Sequence, residues 1–114
     1  MSTTDRQLQQ RRDALLVGNH VRTARATLRR ELKAASFEEG CERVALLLED
    51  IPIELERMKL DDLLLSIRKI GTHRLGCMLR LAGISPFRSL GGLTTRQKIA
   101  LAEELTQGRY GAGL

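Results

Sequence analysis

Arg22, Arg25, Arg29 and Lys33 recur at steps of three, four and four residues. That spacing lines them along one side of a helix, roughly 100° round the cylinder from an apolar stripe. Four like charges so placed repel one another by a few tenths of a kcal/mol per pair, a cost that a polyanion reverses. Glycine turns offer a second kind of chemistry. At Ile70-Gly71-Thr72 one apolar pattern stops and another begins, and a helix starting there gathers free backbone N–H groups at the positive end of its dipole, a seat for an anion. In this reading Gly71 supplies a φ that other residues resist and lets a phosphate oxygen reach the main chain, with Thr72 capping the helix and His73 and Arg74 at the rim. Leu90-Gly91-Gly92-Leu93 repeats the arrangement, with Arg88 ahead of it and Arg96 and Lys98 early in the next helix, where cations oppose the dipole unless phosphates arrive. Each feature also has a plainer reading, as a solvated basic face or an ordinary interhelical turn.

The search for catalysis is short. No Walker sequence, His-Glu-x-x-His, Cys-x-x-Cys or nucleophile elbow occurs. His20 and His73 have no acid partner suggested beside them, and adjacent Asp61 and Asp62 point in different directions on a helix, poor geometry for a shared metal. Cys41 and Cys77 fall on apolar helical positions without ligand spacing and read as buried free thiols. The expectation is a binding protein and not an enzyme, with no cofactor and no metal.

The 114 residues allow one domain, and a pI near 9.9 favours a polyanionic partner. Charge is uneven: net +5 over residues 1–35, −6 over 36–62 and +6 over 63–114, so two basic blocks flank an acidic spacer. Leu and Ala number 21 and 10 against nine Val plus Ile, which makes the expected fold all-α. No apolar run suits a membrane span and the N-terminus lacks a signal-peptide core, so a cytoplasmic protein without membrane contact is expected.

The elements that must position these residues can be read in order. Residues 1–19 suggest an arm or helical extension, with Leu8, Leu15 and Leu16 on one side and a break at Gly18-Asn19. Residues 20–50 hold the basic helix, His20 to Ala35, with Val21, Ala24, Leu28 and Leu32 as its apolar stripe, then an acidic helix from the capping-box pair Ser36 and Glu39. Residues 51–108 form the core: a turn at Pro52, a helix from Leu60 to about Arg68, one from His73 to Ala82 closed by Gly83, a linker from Ser85, and a last helix capped by Thr94 with Gln97 and stopped at Gly108. Residues 109–114 read as a disordered tail.

Met58-Lys59-Leu60 through Leu63-Leu64, Lys69-Ile70-Gly71, Arg74, Ile84-Ser85-Pro86, Arg88, Gly92-Leu93 and Arg96-Gln97 resemble the actinobacterial integration host factor family of mycobacterial and Streptomyces type. The resemblance covers roughly residues 20–108 and is most specific over 58–97. It implies a long N-terminal helix before a compact helix-two-turns-helix core, unrelated in fold to the dimeric β-arm integration host factor. It also implies sequence-tolerant binding of double-stranded DNA, a nucleoid-associated role in compacting or bending it, and phage integrase or other nucleoprotein components as further partners. By matching, Gly71, Arg74, Arg88 and Gly92 fall on the nucleic-acid-contacting motif, and Arg22, Arg25 and Arg29 on the helix that lies against the duplex. Thr72, Ser89 and Gly91 depart from positions that are basic in the family.

Arginine outnumbers lysine fifteen to four, which suits phosphate forks. Phe37, Phe87 and Tyr110 make no stacking platform for unpaired bases. Two alternatives stay open: a structured-RNA or ribosome-associated module, and a helical adaptor whose acidic stretch Glu38 to Asp62 binds a protein. A repair glycosylase built on the same motif lacks room for its catalytic domain.

Overall fold

A computed structural model of the chain describes residues 3–107, with side chains described from residue 18. Gly108, Tyr110 and the 109–114 tail lie outside the described residues. The fold is all-α, as expected: α1 (Thr3–Ala34), α2 (Phe37–Glu49), α3 (Leu60–Leu65), α4 (Thr72–Ala82) and α5 (Thr95–Thr106), with single 3-10 turns at Ile53–Leu55 and Leu90–Gly92.

The expected break at Gly18-Asn19 is absent, and α1 runs unbroken through it for 32 residues. A lone glycine in a helix costs about 1 kcal/mol and removes no hydrogen bond, so helix formers on both sides carry the backbone across. Ser36 caps α2 through Glu39 N–H to Ser36 Oγ at 3.2 Å. Thr94 caps α5 with the full reciprocal box, Gln97 N–H to Thr94 Oγ1 at 3.1 Å and Thr94 N–H to Gln97 Oε1 at 3.0 Å. Gly83 ends α4 in the left-handed conformation, φ 70°, the backbone state glycine adopts without a Cβ penalty.

The core lies where α1 ends and the later helices close over it. Leu32 from α1, Val44 from α2, Leu60, Leu63 and Leu64 from α3, Leu90 from the turn before α5 and Leu101 from α5 are fully buried. α3 is shorter than expected and stops at Leu65, after which Ser66 N–H to Leu63 O at 3.2 Å, Ile67 N–H to Leu64 O at 3.1 Å and Ile70 N–H to Ile67 O at 3.3 Å form successive turns. Ile67 and Ile70 in those turns are both buried in the core.

The loop before α5 is tied to the segment before α3. Leu90 N–H reaches Met58 O at 3.0 Å, Leu60 N–H reaches Arg88 O at 3.0 Å, and Gly91 N–H reaches Glu56 O at 2.7 Å. A Cβ on Gly91 would stand 3.0 Å from Glu56 Cβ and 3.1 Å from Glu56 O, and neither atom can swing aside. Gly91→Ala is therefore expected to destabilise the fold by about 1–3 kcal/mol, read as a lowered midpoint in thermal unfolding.

Candidate nucleic-acid interface

Three contacts set the course of α1 over the core. Arg68 Nε donates to Lys33 O at 3.0 Å, Arg29 Nη2 and Nε donate to Asp62 Oδ2 at 2.6 and 3.1 Å, and Gly18, Val21 and Arg25 line a cleft of about 540 Å³ with Ile53, Glu54, Glu56 and Arg57. The C-terminal half of α1 thus runs parallel to residues 53–68, its end beside the turns that lead into α4.

This register corrects the expected basic stripe. Arg29 is half-buried and held by Asp62, and Arg25 is half-buried at the cleft with its Nε inside the protein and unpartnered. Arg22 and Lys33 stay exposed with no ion pair among the described residues. Glu31, the only acid within the stripe, turns to Arg43 on α2 instead. One side of the stripe is thus a packing edge, and the Arg29 pair, more than a third exposed, is worth no more than about 1 kcal/mol.

The glycine turn also differs in detail from expectation. Gly71, not Thr72, is the N-cap of α4, and its φ of −98° and ψ of −176° are ordinary extended backbone. The left-handed residue is Lys69, φ 68°. A non-glycine residue there pays roughly 1–2 kcal/mol, because its Cβ crowds the carbonyl that follows. The start of α4 is nevertheless open. α4 has no side-chain cap, unlike α2 and α5, so the N–H groups of Thr72, His73 and Arg74 face outward without a side chain sealing them. A Cβ built on Gly71 meets nothing within 4 Å, so the space in front of the seat is open.

Two groups of cations follow. At the C-terminal end of α3 stand Lys33, Arg68, Lys69, His73 and Arg74, gathered by the Arg68–Lys33 bond. Arg74 is half-buried with its guanidinium 5.6 Å from the centre of the Phe37 ring, so it is stacked on α2 and does not wave at the rim. At the N-terminal end of α3 stand Lys59 and Arg88, joined by the Lys59–Ser89 bridge and by Lys59 Nζ to Phe87 O at 3.4 Å. A six-residue helix separates the two groups by about 9 Å. Arg88 folds back over Gly92, its Nη1 at 3.5 Å from Gly92 O, so Gly92 serves as the bed of that side chain. Arg96 joins neither group and lies beside Ile99, Ala100 and Glu103 on the outer side of α5.

Lys59, Arg68 and Lys69 were not among the expected site residues. The Arg68–Lys33 and Arg29–Asp62 contacts span 35 and 33 residues, and no local spacing announces them. Of the thiols, Cys41 is buried and Cys77 half-buried, with Cys77 Sγ 3.8 Å from His73 Nε2. Burial pushes the Cys41 thiol up to about 11, so it stays neutral at physiological pH. Among the described residues no three His, Cys, Asp or Glu groups could hold a metal, and no helix is long and apolar enough to cross a membrane.

No family profile matches the chain, and no curated protein matches it. Among solved structures it is similar to one described as sIHF bound to an 8 bp palindromic DNA, at 27% identity and a TM-score of 0.56, over 77% of this chain and 96% of the other.

Proposed function

We propose that this protein is a sequence-tolerant double-stranded DNA-binding protein of integration host factor type, acting as a nucleoid-associated architectural component in the cytoplasm. The observation that carries the reading is the likeness to a chain solved on duplex DNA, found for a chain whose α4 start is uncapped and ringed by cations. In this reading α3, the turns from Ser66 to Ile70, and α4 are the helix-two-turns-helix. Phosphates sit on the N–H groups of Thr72, His73 and Arg74, with Lys33, Lys69, Lys59 and Arg88 flanking them. Arg22 extends the track along α1. In this reading the seat meets the duplex through main-chain N–H groups and phosphate oxygens, so affinity is to backbone and tolerates sequence. Phage integrase and other nucleoprotein components, and with them a part in site-specific recombination, belong to the same proposal.

Gel shifts on several unrelated duplexes, with structured RNA as competitor, test it. Affinities within a few-fold across duplexes, and weak displacement by RNA, are expected. Tight binding to RNA alone would move the protein to the ribosome-associated reading.

Lys69 gives a sharper check because its two roles oppose each other. Lys69→Gly relieves the left-handed strain and is expected to raise stability by up to about 1 kcal/mol. The same change removes one phosphate contact, weakening every duplex alike and lowering the salt slope by about 1. Chemical unfolding and a salt titration of the same variant read the two signs.

A further inference from the structure

We propose that Phe87 is an apolar wedge that inserts between base pairs of the bound duplex and kinks it, an assignment that rests on the DNA-binding reading above. At 80% exposure Phe87 is the most exposed large hydrophobic side chain among the described residues. It is the one exposed aromatic residue among those described, since Phe37 lies under Arg74. Its backbone is held on every side while its ring is free. Ser85 Oγ accepts from Phe87 N–H at 3.4 Å, Ser85 O accepts from Arg88 N–H at 3.2 Å, and Lys59 Nζ donates to Phe87 O at 3.4 Å. Pro86 fixes the φ just before it, and Arg88 and Ser89 immediately after it are bonded or bridged to residues 59 and 60.

The surroundings decide what such a ring is for. A docking site for another protein would continue into an apolar patch, but Phe87 is bordered by exposed Ser85, Pro86 and Arg88 and by the ammonium of Lys59. A lone ring with a cation on either side matches a base step with its two flanking phosphates. Ile53, at 75% exposure, is the contrast: it sits next to Glu54 with Glu56 beyond, where a phosphate backbone is repelled. Apolar wedges of this kind unstack one step and bend the duplex by about 20–90°.

The test compares the full chain with Phe87→Ala and Phe87→Leu on a short duplex carrying fluorophores at both ends, with 2-aminopurine at successive steps. The wild-type protein is expected to shorten the end-to-end distance and to brighten one 2-aminopurine position. Phe87→Ala is expected to bind with an unchanged salt slope and to lose both signals, and Phe87→Leu to keep most of each. Both variants change an exposed side chain, and circular dichroism verifies their folding. Binding by the wild type without bending, or equal bending by Phe87→Ala, overturns the wedge and leaves the DNA-binding reading standing. No binding to duplex at any salt overturns both.

Discussion

Raising monovalent salt from about 50 to about 200 mM is expected to weaken binding to any duplex about a thousand-fold, on a log–log slope of roughly −5. The figure follows from the cations free to meet phosphates. Arg22, Lys33, Lys59, Arg68, Lys69 and Arg88 are exposed with no ion-pair partner among the described residues, and Arg29 is withheld by Asp62. About six neutralised phosphates release enough counterions for that slope. The assignment also separates residues that the sequence treats alike. Arg88→Ala should lower the slope by about 1, and Arg29→Ala should leave it unchanged while loosening α1 from α3. Fluorescence anisotropy at five or six salt concentrations measures all three proteins. Equal losses for Arg29→Ala and Arg88→Ala would return Arg29 to the contact surface.

Gly71→Asp should move folding and binding in opposite directions. The N-cap backbone is extended and a Cβ there meets nothing, so aspartate fits without strain. Its carboxylate caps α4, which now has no side-chain cap, and stabilises the fold by a few tenths to about 1 kcal/mol. The same carboxylate occupies the anion seat. Loss of one charge-assisted hydrogen bond between a phosphate and the His73 or Arg74 amide, worth about 1.5–3 kcal/mol, should weaken every duplex about 10- to 100-fold. Gly71→Ala is the milder companion, with stability near wild type and a smaller loss of affinity. A midpoint from thermal unfolding and a dissociation constant at one fixed salt suffice for both. Gly91→Ala supplies the opposite case, since its Cβ meets Glu56 Cβ and the Glu56 backbone.

Local chemistry accounts for what could be read in the chain before any coordinates. Ser36, Thr94 with Gln97, and Gly83 act within four residues of themselves, and each stands where the sequence places it. The apolar stripe of α1 delivers Leu28 and Leu32 to the core as its spacing requires. What spacing conceals is which cations are spent in pairs across the chain. The periodicity that aligns Arg25, Arg29 and Lys33 is blind to Asp62, and that carboxylate turns part of a cationic stripe into a packing edge. The turn before α4 misleads for a different reason. Glycine signals a left-handed φ, but the turn places its left-handed residue at Lys69, and Gly71 is left with open space in front of it.

The most direct test is a backbone amide NMR titration of the full chain with a short duplex of arbitrary sequence. The account predicts that the Thr72, His73 and Arg74 amides shift first and furthest, with Lys69 and Arg88 following and the outer faces of α2 and α5 unmoved. Shifts centred on Leu46, Ile99 and Glu103, with residues 71–74 still, would contradict it.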